Sequence, residues 1–558
     1  MASQTTTENN PRSTSSDYKA MCDYWKMVTA ILHGVDALRA TSSLGLQQAV
    51  AGPVIPYSSL SQLTNTRKGR SGATSPYLPQ FPEEENEDYE LRRKYAPLTN
   101  IYSDVSRFLS SKPFSKTCEL DEDTADDLKD LSYDIDGQGN NLHVFAAEVF
   151  KAGIDYGIDW IFVDYLNIDS PETITLADER NLGARPYWIR IPAGHLLAVY
   201  SDFINGQEII VHARIFEPFT KRENYSEKVI ERVRILNREP IIDEETKKIT
   251  GYGPAMWELL EMHVGKDEQT KKETTSWQKI EEGEFTIGII PLVPFKTGRR
   301  QGCSWIVHPP LKDIAYMQIE EFQQESNLRT IKELTAFPML TGNGVSPKDA
   351  DGKEASIQVG PHAVLYAPPG IDGSPGGHWT FIEPGASSLA FLKADLDGLR
   401  TEMRDLGMQP LASANLTVIT TANISLRANS QVQAWALGLK DALEMAWHIT
   451  CCWLNRPDEE VVVRVHVDFG VELQAGAELS TLQATRSHKD ISQRTYWEEL
   501  KRRGVLSDDF DPDIEEERLA EESEALEPEM EIDPVTGLPV DPTQPPPGPR
   551  LVAGGASG

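Results

Sequence analysis

Between Leu406 and Leu426 the chain reads LGMQPLASANLTVITTANISL, 21 residues without a single Asp, Glu, Lys or Arg. Elsewhere it is charged at every fourth position, 25% overall. Ser413, Asn415, Thr417, Thr420, Thr421 and Asn423 make the stretch too polar for a buried core strand. It is also too polar to span a bilayer, which takes about 20 predominantly apolar residues in a helix. It lies between two amphipathic patterns, 387–408 and 427–454. A neutral, hydroxyl- and amide-rich loop held between helices suits a surface that something charged passes without sticking. A buried linker or a contact between subunits satisfies the same pattern.

The flanking sequence has a readable order. Residues 1–16 are polar and are expected to be disordered. A helix is expected from Tyr18 to Ala40, with Met21, Trp25, Val28, Ile31, Leu32 and Val35 at helical spacing. An acid-opened helix should follow and close at Lys112-Pro113, and another is expected over 141–152. From 185 to 297 the pattern alternates in strand fashion (YWIRI, HLLAVY, EIIVHARIF, EFTIGIIPLVPF), with Asn205-Gly206 as a hairpin signal. A helix over 310–334 carries Leu311, Ile314, Met317, Phe322, Leu328 and Ile331. Glycine- and proline-rich sequence with short strands (SIQV, AVLYA, HWTFIE) fills 336–385. After the neutral stretch, Trp435, Leu439, Leu443, Trp447 and Cys451 recur every four residues on a long helix. A strand (EVVVRVHVDF), helices over 478–525 and a proline-rich tail from 528 complete the order. The fold class expected is α+β, in two to four structural units.

The formal charge is −32, from 86 acids and 54 bases. Fourteen of those acids, against Arg518 alone, fall between Asp508 and Asp533, and the remainder still carries −19. Such a surface repels free nucleic acid and anionic membranes, which argues against sequence-specific DNA binding. It does not exclude DNA driven past by a motor. Five cysteines (Cys22, Cys118, Cys303, Cys451, Cys452) read as free thiols in a reducing compartment. No signal-peptide core opens the chain, so cytosol-like conditions are expected.

Motifs for catalysis do not emerge. There is no phosphate-cradling lysine loop, no dinucleotide fingerprint and no His-Glu-x-x-His. His448, Cys451 and Cys452 share a helix but fall on or beside its apolar stripe, without a second ligand pair, so packing is the expected role. Ser492 caps the helix carrying Trp497, and Gly504 stops it. The second arm of that pair is acidic, which excludes DNA recognition by it. No enzyme activity, cofactor or metal is expected. A hydrolase with a dispersed acidic site is the remaining catalytic alternative.

The order of elements, with the phrases IPLVPFKTG, PPLKDIAYMQIEEFQQESNLRT and SQRTYWEELKRRGVLSDDFDPDIEEERLAEE, resembles the portal proteins of tailed bacteriophages, the head–tail connectors. The resemblance covers 77–525 and is strongest from 288 onward. It implies a portal-like fold: an α/β wing at 17–309, stem helices at 310–334 and 387–408, and a clip at 335–386. It further implies a tunnel loop at 409–426, a long helix with a returning wing strand at 427–471, and a helical crown at 472–527. By that resemblance the chain would form a ring, usually of twelve, at one capsid vertex, assembled in the host cytoplasm. Double-stranded DNA would pass through the ring during packaging and ejection. Terminase, head–tail adaptors, the major capsid protein and scaffolding protein would be its partners, with no membrane. Asp313 and Glu320, seven apart and so on one helix face, would line the bore with Asn415, Thr417, Thr420, Thr421 and Asn423. Lys348, Asp349, Lys353 and Glu354 would meet terminase or adaptor. The alternative is another virion protein of the neck or head.

Overall fold

Ser15 opens the first helix, its hydroxyl accepting the backbone N–H of Tyr18 at 3.1 Å. This computed structural model describes residues 10–41, 74–82, 84–165, 184–245, 247–266, 273–336, 339–343, 378–382, 386–407, 418–467, 469, 482–488, 490–502, 505–506 and 510–526. The chain divides into two units, Met1–Phe469 and Gly470–Gly558.

Helix α1, Ser16–His33, buries Met21, Trp25, Val28 and Ile31. It stops at Gly34, whose φ of 89° lies in the region that favours glycine, and α2 (Val35–Arg39) follows as a separate piece. The single helix expected to Ala40 is thus two. The acid-opened helix is also split: α3 is Asn86–Tyr95 and α4 is Ile101–Ser111. Pro97 between them lacks the N–H a continuing helix needs, and Asn100 caps the second piece by accepting from Ser103 N at 3.0 Å. Strand β1 (Glu119–Leu120) and α5 (Asp126–Ser132) lead to α6, Leu142–Tyr156, capped by Asn141 and ended by left-handed Gly157. It runs four residues past its expected end, through Gly153, because one glycine costs a helix only about 1 kcal/mol.

The strand-like region forms strands, but EFTIGIIPLVPF turns at 286–289 so that its strand begins only at Leu292. Glu273–Glu284 is a strand that the alternation did not mark. Strand β2 is Ile158–Tyr165, β3 Pro186–Ile191, β4 Leu196–Ile204, β5 Gln207–Phe216, β6 Phe219–Glu223 and β7 Ser226–Ile230. Then come β8 (Arg232–Ile242), β9 (Ile249–Lys266), β10 (Glu273–Glu284), β11 (Leu292–Lys296), β12 (Arg299–Arg300) and β13 (Val307–His308). Strands β10-β9-β8-β5-β4 make one antiparallel sheet and β11-β2-β3 another, with Leu292 opposite Phe162 and Trp160 opposite Ile191.

Next come α7 (Lys312–Ala336), the antiparallel pair β14 (Met339–Asn343) and β15 (His378–Ile382), and α8 (Ala386–Leu406). Helix α9, Val418–Trp453, has 36 residues and a length of roughly 54 Å. Its buried stripe of Val432, Ala436, Leu439, Leu443 and Trp447 lies against β11 and β2. Trp447 meets Trp188 edge-on at 5.2 Å, and the Trp188 indole donates to Thr450 Oγ1 at 2.9 Å. The returning strand, read as 460–469, is only β16, Val463–Arg464, paired with β1. Its partner is itself two residues long, so the ladder has nowhere to continue.

In the second unit, α10 (Gln493–Arg502) begins where Ser492 Oγ accepts Thr495 N at 3.2 Å, and α11 is Pro512–Leu526. Trp497 is buried and packs edge-on against Phe510 at 5.8 Å, which makes it a packing anchor between the arms.

Candidate functional site

Helix α7 presents two chemically distinct sides. Inward, Ile314, Gln318, Glu321, Phe322 and Leu328 are buried, so two polar residues sit on an otherwise apolar stripe. Each is satisfied. Gln318 Oε1 accepts the N–H groups of Ile101 and Tyr102 at 2.9 and 3.0 Å, filling part of the unsatisfied first turn of α4. Its Nε2 donates to Thr99 O and to Glu321 Oε2, both at 3.0 Å.

Glu321 is wholly buried and meets Arg400 of α8 at 2.6 Å. The same guanidinium reaches Glu325 at 2.7 Å and donates to Thr99 Oγ1 at 3.1 Å. Burial is the main cause that pushes the Glu321 carboxyl up to about 7; the Glu325 carboxylate adds to it and Arg400 opposes it. One cluster therefore fastens α7, α8 and the start of α4 together. Sequence reading missed it, because a glutamate in an amphipathic helix reads as a solvated face. The available signal was spacing: 314, 318, 321, 322 and 328 form one stripe.

Outward, Asp313 and Glu320 are both exposed, on one face as their spacing requires. Glu320 lies on an open groove of about 650 Å³ between α7 and α8, lined also by Met317, Gln324, Asp395, Gly398 and Glu402. Gln324 donates to Glu320 at 3.1 Å. Among the described residues Glu320, Asp395 and Glu402 make no ion pair, so the groove is uncompensated negative charge. Such a surface repels a phosphate backbone and attracts a cationic protein surface. Helix α8 hides little of itself: Leu396 and Met403 are buried, while Phe391 is 71% exposed and Leu406 48%.

The neutral stretch is corrected in part. Helix α9 starts at Val418, nine residues before the expected position, so Thr420, Thr421 and Asn423 lie in its opening turns and not in a loop. No Gly or Pro occurs from Leu411 to Leu437, and Thr or Asn costs a helix only about 0.7 kcal/mol each relative to alanine, so nothing forces a break at Arg427. Asn415 and Thr417 fall outside the described residues, as do Lys348, Asp349, Lys353 and Glu354 and the strands read at SIQV and AVLYA.

Among the described residues no group of three or more His, Cys, Asp or Glu side chains is placed to hold a metal. Cys452 Sγ lies 3.9 Å from His448 Nε2, and burial pushes the Cys451 thiol up to about 11, which keeps it protonated. Among the described residues no helix is long and apolar enough to cross a membrane.

A family model described as a domain of unknown function, DUF4055, matches residues 310–454, which run from the start of α7 to the end of α9. No curated protein matches the chain. Among solved structures, a chain from "Neck of native GTA particle computed with C12 symmetry" is similar at a TM-score of 0.35 and 10% identity, covering 70% of this chain and 87% of that one.

Proposed function

We propose that this chain is a structural protein of a phage-like virion that works as a ring in the head–neck region. In the finer reading it is the portal subunit, a conduit for double-stranded DNA. The observation that carries the reading is the α7–α8 pair. Helix α8 buries one narrow stripe and leaves Phe391 and Leu406 in solvent, so the pair is unfinished in a single chain. Neighbouring copies would finish it. The element order supports the same conclusion: helix, β pair, helix, then a long helix whose stripe rests on the α/β body.

The electrostatics fit a conduit. A wall that carries Asp313 and the uncharged opening turns of α9 would let phosphates pass without being gripped. The segment between β14 and β15, with Lys348, Asp349, Lys353 and Glu354, would be the docking point for terminase during packaging and for head–tail adaptors afterwards. Major capsid and scaffolding proteins would surround the ring at one capsid vertex, and assembly would take place in the host cytoplasm. The reading includes no catalytic turnover. If the chain is a different component of the neck, the ring persists but sits away from the capsid vertex.

Mass photometry of purified protein tests the proposal. Twelve copies of 62.2 kDa give about 750 kDa, and class averages from electron microscopy should show a central bore. A chain that stays at 62.2 kDa across protein and salt concentration overturns the ring reading.

A further inference from the structure

The acidic groove has a counterpart on the same chain. On the other side of α7, Arg329 lies beside Tyr95 at the end of α3, its guanidinium 5.8 Å from the ring, and Lys94 lies 5.5 Å from that ring. Arg93 donates to the carbonyl of Arg39 at 2.8 Å, and Arg39 donates to the carbonyl of Ala96 at 2.5 Å. Three arginines and a lysine therefore lie close together at the end of α3 in a protein of net charge −32.

Their compensation within the chain is thin. Arg39 has Asp36 at 4.0 Å, with that carboxylate 81% exposed, while among the described residues Arg93 and Arg329 pair only with the helical neighbours Glu90 and Glu333. Among the described residues the Nε atoms of Arg39 and Arg93 are buried without a hydrogen-bond partner. Burial pushes the Arg39 guanidinium below its ordinary range; Asp36 opposes the shift, and the charges of Arg329 and Arg93 add to it. Apolar surface accompanies the charge, with Tyr95 46% and Leu91 54% exposed. The groove side matches this with Phe391, four residues before Asp395 on α8 and so on the same face.

Geometry separates the two surfaces in a particular way. Glu320 and Arg329 are nine residues apart on one helix, about two and a half turns, so they point in opposite directions with an axial offset of roughly 13 Å. Two unlike, complementary surfaces on opposite sides of one element cannot meet within a chain. A contact between copies through such surfaces is head-to-tail, the kind that closes into a ring when the rotation between copies allows it.

We propose that the basic, aromatic surface of Arg39, Arg93, Lys94, Tyr95 and Arg329 docks on the α7–α8 groove of the next copy, against Glu320, Asp395 and Glu402. The inference rests on the ring reading and goes beyond it by naming the contact. The axial offset requires the helix pairs of adjacent copies to lean across one another. Glu320 then belongs to the contact between subunits and not to the bore.

The test uses the full chain and two reversals, Arg93→Glu with Arg329→Glu, and Asp395→Lys with Glu402→Lys. Each pair should raise the protein concentration needed for half-assembly at least tenfold in mass photometry, and the four changes together should restore most of it. Wild-type rings should also loosen as salt rises from about 0.1 to 1 M, where screening shortens from about 10 to 3 Å. That series stands even if a reversal fails to fold. Rings that assemble like wild type in both reversals, or that ignore salt, overturn this contact and leave the ring reading intact. If rings persist while the arginine reversal abolishes binding of a fluorescent DNA duplex, the patch is a DNA contact and the inference fails. A wild-type chain that never exceeds 62.2 kDa overturns both.

Discussion

Glu321 and Arg400, 79 residues apart in sequence, meet at 2.6 Å with the carboxylate entirely out of solvent, and so join α7 to α8. Removing one partner of such a pair strands a buried charge, which costs far more than the pair itself contributes. Arg400→Met is expected to destabilise the helix pair by about 3 kcal/mol. The loss should appear as faster amide hydrogen exchange in Ala386–Leu406. Replacing both, with Glu321→Leu added, should recover most of that protection.

The same carboxyl makes stability depend on pH in a direction opposite to most paired acids. Its folded value is raised to about 7 from an ordinary 4.5, so the folded chain holds the proton more tightly than the unfolded one. The stabilisation is complete below pH 4.5 and is lost as pH rises through 7. Among the described residues Arg400 from α8, with Glu325 and the uncharged Gln318 from α7, faces it. Thermal melts of wild type and Glu321→Gln across pH 5 to 8 should therefore diverge, with the wild type losing more as pH rises. Parallel curves would refute the assignment.

Much of this architecture was legible because apolar spacing and breakers agree. Pro309 and Pro310 precede α7, Pro338 follows shortly after it, and the ends of both α7 and α8 lie within about two residues of their expected positions. Most of the alternating strands of the sheet region formed for the same reason, while the mostly polar β10 escaped the pattern and is held by its pairing with β9. Propensity failed where a single residue decided: Gly34 and Pro97 each cut one expected helix in two. It failed the other way at Val418, where weak helix formers continue a helix that tertiary packing holds. Gln318, Glu321 and Arg400 were out of reach because their partners are distant in sequence. A buried acid cannot be told from a solvated one until the element that covers it is placed.

Gly407 sets how closely the end of α8 approaches α4. A Cβ there would lie 2.6 Å from both methyl carbons of Val105, which is fully buried. Gly407→Ala must push the two elements apart and is expected to cost about 1–3 kcal/mol, the usual range for overpacking. Gly407→Ala with Val105→Ala should relieve the clash, and a lower melting temperature that the second change partly restores would verify it.

Trp447 is buried against Trp188, and among the described residues its indole N–H has no hydrogen-bond partner. Trp447→Ala should cost about 3–5 kcal/mol through the cavity it leaves. Trp447→Phe should cost much less, because removing an unpaired buried donor offsets part of the lost volume. Urea midpoints of the two variants, taken at one protein concentration, separate these outcomes.

The uncharged opening turns of α9 give the sharpest functional contrast. Thr420 and Thr421 lie in a run of 21 residues that avoids every charge, and in the conduit reading that avoidance keeps phosphates from being held. A lysine near a phosphate releases condensed counterions and adds close to one unit to the salt dependence of DNA binding. Thr421→Lys should therefore leave ring mass unchanged, give the isolated ring measurable salt-sensitive affinity for a DNA duplex, and lower nuclease-protected DNA per particle several-fold. Thr421→Gln, similar in bulk and neutral, should leave packaging near wild type. Equal losses from both substitutions would mean that this segment acts by packing, and neutrality would not be its purpose.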